Sequence, residues 1–241
     1  SPPPIPMKNS RKLNPKVCFA SLLFTLIANF SNGADWPVWG GDGSRNMVSS
    51  ETGLVVDFNP GDMSDDEVVD MKTTKNVKWV AKLGSQAYGN VTVANGRVFV
   101  GTNNESPRDP GKKGDRGVVM CLDEKTGALL WQLVIPKLGA GKVSDWEYIG
   151  VCSSPAIDGD KVYVVTNRCE VVCLDINGLA DGNAGPFKDE AKYVKPKGKQ
   201  DKLNEKLDAD IIWMYDMRDQ LGVFPHNVTS SSALVVGAVV Y

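Results

Sequence analysis

The chain has 241 residues, a net charge of −2 and 42% hydrophobic residues, enough for one large domain or two small ones. That near-neutral balance excludes the strongly basic footprint of a nucleic-acid protein. Its 24 glycines and 14 prolines suit many short strands joined by turns.

Residues 1–34 read as upstream residues and an export signal. Lys8, Arg11, Lys12 and Lys16 make a positive n-region. Val17 to Ile27, VCFASLLFTLI, is an apolar h-region too short to span a bilayer. Small residues for cleavage follow at Ser31-Asn32-Gly33 or at Asn32-Gly33-Ala34, where Asn32 is an imperfect fit. SPPPIP ahead of Met7 has no role in such a signal, so Met7 reads as the start. No lipobox follows. The expected location is the periplasm or the cell exterior, with cleavage near Gly33-Ala34 and no membrane span afterwards. Cys18 leaves with the signal, and Cys121, Cys152, Cys169 and Cys173 remain, an even number for an oxidising compartment.

A lead-in covers residues 35–75, and repeats occupy residues 76–241. Three Trp-bearing strands close alike on Leu-Gly: NVKWVAKLG (Asn76 to Gly84), LLWQLVIPKLG (Leu129 to Gly139) and IIWMYDMRDQLG (Ile211 to Gly222). After each comes a strand, a Gly turn and a strand, the signature of a β-hairpin: GNVTVANGRVFVG, SSPAIDGDKVYVV and SSALVVGAVVY. In the first two copies a strand ending in Cys-Leu-Asp follows. The repeat is therefore four strands, with Trp79, Trp131 and Trp213 marking the last of each. Trp79 and Trp131 stand 52 residues apart, and Trp131 and Trp213 stand 82 apart. Both exceed the roughly 40–45 residues of a four-stranded propeller blade. Two insertions explain the excess. Asn103 to Gly117 is a polar, Pro/Gly-rich loop. Asn177 to Asp210 is charged and Lys-rich, and reads as a mostly solvated excursion with a short helix near Gln200 to Leu207. In LDEKTGALLW, Asp123 can accept turn N–H groups, Thr126 precedes the turn glycine, and Gly127 supplies a positive φ. Trp131 then fills the space between neighbouring sheets, as Asp175 and Trp213 repeat further on.

The motifs SPAIDGDKVYVV, EVVCLD and CLDEKTGALLW resemble the repeat of the PQQ-like β-propellers, a superfamily that includes quinoprotein alcohol dehydrogenases and the propeller scaffold of outer-membrane assembly. Leu122-Asp123, Thr126-Gly127 and Trp131 match fully, and the second copy keeps Leu174-Asp175 and Trp213. The lead-in DWPVWGGDGSRNMVSSETGL adds to the likeness, which runs from Asp35 to Tyr241. It implies an all-β propeller of four-stranded antiparallel blades, of which about two and a half are present. A ring of four to eight blades needs more, so the sequence reads as the N-terminal part of a longer protein.

Cys121 and Cys173 read as small core residues at equivalent strand positions. Cys152 and Cys169 flank one hairpin and are the candidate disulfide. Cys169 and Cys173, four apart on a strand, would sit about 13 Å apart and so make a poor metal pair. His226 is the only histidine and stands at the start of the third inner strand. The starts of inner strands cluster at one mouth of a propeller channel, which makes Tyr88, Asn90, Ser153, His226 and Asn227 the candidate ligand-binding set. No metal site, nucleophile motif, P-loop or dinucleotide fingerprint is legible. Two function classes remain. One is a binding or scaffold module with a protein or small-molecule partner. The other, implied by the resemblance, is a quinoprotein dehydrogenase that holds PQQ and calcium and oxidises an alcohol or sugar. Its adjacent cysteine pair is absent here, and its calcium ligands have no match.

Overall fold

The computed structural model describes residues 33–200 and 202–241; the n-region and h-region of the expected export signal, with Cys18, lie outside the described residues. The regular structure of the described part is mainly antiparallel β strand, joined by long turns and irregular segments, with two short α-helices. The first blade is β1 (Thr92–Ala94), β2 (Arg97–Asn103), β3 (Gly117–Asp123) and β4 (Leu129–Ile135), paired in that order. The second is β5 (Ala156–Asp158), β6 (Lys161–Val165), β7 (Glu170–Asp175) and β8 (Ile211–Asp216), also in chain order. A third repeat begins with the hairpin β9 (Val235–Val236) and β10 (Val239–Val240).

Both blades break register at the same place. β3 slips against β4 between Cys121 and Leu122, and β7 slips against β8 between Cys173 and Leu174. The extra residue is Leu130 in one blade and Ile212 in the other, a β-bulge that bends the outer strand just before its Trp. The bulge leaves Trp131 opposite Cys121 and Trp213 opposite Cys173. One strand further in, Phe99 faces Cys121 and Tyr163 faces Cys173. The small thiol lets the flanking rings meet above it: Phe99 and Trp131 lie 6.0 Å apart, Tyr163 and Trp213 6.1 Å. Cys121 and Cys173 are thus packing residues, and burial pushes the Cys121 thiol up to about 12 and that of Cys173 to about 11.

Trp79 and Trp131 also dock onto the turn of the following repeat that comes before its outer strand. Trp79 donates its indole N–H to the carbonyl of Glu124 (2.9 Å), and Trp131 donates to that of Ile176 (2.8 Å). A Cβ on Gly127 would lie 2.5 Å from the Trp79 ring, and one on Gly178 would lie 2.9 Å from the Trp131 ring. Both glycines also have positive φ, +72° and +63°, so turn conformation and close approach demand the same residue. Asp123 shapes the first turn by accepting from Thr126 Oγ1 (2.7 Å) and from the backbone amides of Lys125 and Thr126. Residues 77–83 occupy the fourth-strand position on the other face of the first blade. Trp79, Ala81 and Leu83 pack there against Val98, Val118, Met120 and Leu122. No described strand pairs with this segment.

The main core lies between the two blades and joins Phe99, Val119, Trp131 and Leu133 to Val162, Val164, Val172 and Ile211. Burial of this apolar area is the dominant stabilising term. The long insertion differs from its sequence reading. Its lysines 188, 192, 197, 199, 202 and 206 do face solvent, but its ends are built into the blades. The helix expected near residues 200–207 is not there. A short α1 (Glu190–Val194) lies earlier, and Asn204 turns the chain so that residues 207–209 run beside β4. The Gln132 amide donates to the Leu207 carbonyl (2.8 Å), and the Ala209 amide returns a bond to the Gln132 carbonyl (3.0 Å). Pairing with an open strand edge outweighs local helix propensity here, and it covers the outer edge of the first blade. Asp208 then forms a buried ion pair with Lys112 from the other insertion. Arg116 of that loop donates to the Val194 carbonyl (2.7 Å). Glu170 anchors the helix from the second blade: it accepts from the Tyr193 hydroxyl (2.8 Å), Thr166 Oγ1 (3.1 Å) and Arg168 Nε (2.8 Å).

Candidate functional site

The start of the lead-in crosses all three repeats. Trp36 pairs with Val93 of β1, the Pro37 carbonyl accepts from the Ile157 amide of β5 (2.8 Å), and Arg45 Nη2 donates to the Ser232 carbonyl beside β9 (3.2 Å). These contacts bring the lead-in to the ends of the inner strands. Between them opens a cavity of about 530 Å³ lined by Trp39, Arg45, Tyr88, Asn90, Trp146 and Ser154, with Ile149, Cys152, Val228, Ser230 and Ser232 completing the wall.

Two of the five sequence candidates, Tyr88 and Asn90, line this cavity. Ser153 does not. It is fully buried and its hydroxyl donates to the Val165 carbonyl, closing the inner hairpin (2.5 Å). Side chains alternate along extended backbone, so the neighbouring Ser154 faces the cavity instead. His226 and Asn227 are exposed outside the lining, and the His226 carbonyl accepts from Ser144 Oγ (3.1 Å). The next residue, Val228, reaches the wall. The sequence reading missed Trp39, Arg45 and Trp146. Trp39 and Arg45 sit in the turn-rich WPVWGGDGSRN, where Arg45 adopts φ +53°, a conformation that side chains other than glycine seldom take. Nothing in the local pattern announces that conformation.

Cys152 and Cys169, the expected disulfide, are free thiols, as are the other two described cysteines. The turn at Thr166–Cys169, closed by the Cys169 amide on the Thr166 carbonyl (3.1 Å), carries Cys169 back toward β7 at φ +61°. Cys152 turns to the cavity wall, its sulfur 4.0 Å from the Ile149 carbonyl. Burial raises the Cys152 thiol above its ordinary value, against the opposing charge of Lys137, so it stays protonated and unreactive at neutral pH.

The electrostatics of the cavity are simple. Among the described residues that line it, Arg45 carries the only charged side chain. The guanidinium lies over the Trp39 ring, 5.4 Å from its centroid, a cation–π contact that fixes its plane. The hydroxyl of Ser154 accepts from the Asn90 amide (2.8 Å), and that of Ser232 accepts from the Ser154 amide (3.0 Å). PQQ and calcium were implied by the family resemblance. A calcium-bridged quinone needs carboxylate ligands beside it, and no carboxylate lines this cavity. Among the described residues no group of three His, Cys, Asp or Glu side chains is placed to hold a metal ion. The donor set therefore does not fit that cofactor.

A family model described as outer membrane protein assembly factor BamB, of the PQQ-repeat type, matches residues 29–178. The match takes in the lead-in and the whole first blade, and stops at Gly178, where the long insertion leaves the repeat. No curated protein matches the chain.

Proposed function

The chain belongs to the PQQ-like repeat family of the outer membrane protein assembly factor BamB, and from that premise we propose that it is a binding scaffold working outside the cytoplasm. The family description names an assembly factor. In this chain the blades and their insertions form the frame, and the mouth cavity and its surrounding loops meet the partner. The observation that carries this reading is the cavity itself. The lead-in and three successive repeats deliver aromatic faces, hydroxyls and one guanidinium to a single concave wall. That is a surface for recognition, with polar groups that orient a ligand and flat apolar groups that hold it. The export signal read at residues 8–27 supports a place outside the cytoplasm.

The test is a titration of the purified protein with PQQ in the presence of calcium, followed by absorbance and metal analysis. The scaffold reading expects no stoichiometric complex and no dye-linked alcohol oxidation. A one-to-one quinone–calcium complex with turnover would replace it with the dehydrogenase. Cell fractionation tests the location, with the protein expected outside the inner membrane.

A further inference from the structure

The mouth cavity offers three kinds of contact at once. Trp146 and Tyr88 are 48% and 62% accessible and line the cavity. Aromatic faces carry partial negative charge and attract positively polarised C–H groups, such as those on one side of a pyranose ring. The serines supply the second contact. Ser154 and Ser232 have each spent an acceptor lone pair on a backbone amide, which leaves each O–H free to donate. Asn90 and Ser230 add exposed polar groups on the same wall.

Arg45 is the third contact. One of its nitrogens is tied to the Ser232 carbonyl, and Trp39 holds its plane. Its Nε is shut off from water and has no acceptor. That Nε is covered by protein and is not the ligand contact, but a guanidinium fixed in place beside the cavity still presents its positive charge and remaining Nη hydrogens, which attract a carboxylate. No acidic side chain of the wall competes for it.

We infer that the mouth cavity binds an acidic saccharide, with its carboxylate on Arg45, its ring against Trp146 and Tyr88, and its hydroxyls on Ser154 and Ser232. A flat aromatic acid would satisfy Arg45 and the rings but leave the serine hydroxyls without partners. A neutral sugar would satisfy the serines and leave the Arg45 charge without a counter-ion. A volume of about 530 Å³ is in the range of small-ligand sites. This inference rests on the reading of the mouth as the binding surface.

The experiment is isothermal titration of the full chain with digalacturonate, its methyl ester, a neutral disaccharide, an aromatic carboxylate and PQQ with calcium. The inference expects saturable binding of digalacturonate, at least tenfold weaker binding of the ester and the neutral sugar, and a salt-dependent affinity. Arg45→Gln should erase the preference for the acid, and Trp146→Ala should weaken acid and ester alike. The ester removes the charge without touching the protein, so the comparison survives even if Arg45→Gln fails to fold. Equal binding of acid and ester, tighter binding of the aromatic acid, or no sugar binding would overturn the inference and leave the scaffold reading standing. A stoichiometric complex with PQQ and calcium would overturn both.

Discussion

The same rung of four residues crosses each blade: Thr92, Phe99, Cys121 and Trp131 in the first, Ala156, Tyr163, Cys173 and Trp213 in the second. Register, bulge and ring spacing agree between them, yet their surroundings differ. Phe99 and Trp131 are buried between two blades, whereas Tyr163 and Trp213 are only partly buried. The indole of Trp131 has the Ile176 carbonyl as acceptor and a glycine beneath it. For Trp213 the described residues offer a ring contact with Tyr163 and no such turn. The difference teaches that a blade of this kind carries only part of its own stability. The rest comes from the turn of the next repeat, offered to the Trp of the one before.

Removing the ring is the sharpest way to break the comparison. Trp131→Ala is expected to cost about 3–5 kcal/mol, the range for truncating a buried Trp. Trp213→Ala should cost about 2 kcal/mol or less, since its surroundings already admit water. Chemical denaturation of both variants checks the ranking, and equal losses would show that the next repeat adds nothing.

The belt between the blades gives the next largest effect. Lys112→Met leaves Asp208 buried without its main cation, and about 3–5 kcal/mol is expected to be lost. Adding Asp208→Leu should recover most of it, because an apolar pair removes both charges. A double variant as unstable as the single one would show that Asp208 acts through its backbone alone. Smaller again is the effect of Gly127→Ala or Gly178→Ala. Each puts a methyl group against a Trp ring at positive φ, and each should lose about 1–3 kcal/mol. Similar losses at the two sites would confirm that the turns are equivalent although their sequences differ.

The last effect depends on pH. Burial, with Glu190 and Asp175 nearby, raises the Asp210 carboxyl above its ordinary value. A folded-state value above the unfolded one means the native protein binds the extra proton. Its stabilising contribution is present in full below the unfolded value of 3.8 and is lost as pH rises through the raised folded value. Asp210→Asn should keep an acceptor for the Ala184 amide and flatten that decline, so the variant should gain relative to wild type from acid toward neutral pH. Melting temperatures across that window check it, and parallel curves would contradict the assignment.

Much of this architecture is written in the sequence. Trp131 and Trp213 mark outer strands because a large ring before Leu-Gly has few other uses, whereas the expected strand around Trp79 is an unpaired segment in the structure. Leu122-Asp123 and Leu174-Asp175 mark the turns because Asp can bond the amides that follow. Gly178 was hidden. The second turn drops the Thr and reaches its glycine one residue sooner, so Asp175-Ile176-Asn177-Gly178 does not look like Asp123 to Gly127, although the Trp above it has the same requirement. The return of residues 207–209 to β4 was also hidden, because pairing with a distant edge leaves no local period. At the mouth, position along the chain picked Ser153, but the two-residue alternation of the strand turns Ser154 inward. Trp39 and Arg45 reach the wall through long-range contacts of the lead-in that no motif encodes.

The long insertion is part of the frame: residues 207–209 bridge the outer edge of the first blade and tie it to the second. Amide hydrogen exchange at Gln132 and Ala209 tests this most directly, since these amides bond the segment to the blade edge. The account predicts slow exchange at Gln132 in the wild type, and fast exchange there once Ala209→Pro removes the reciprocal bond. Fast exchange at Gln132 in the unaltered protein would mean that the edge is open and the insertion only lies nearby.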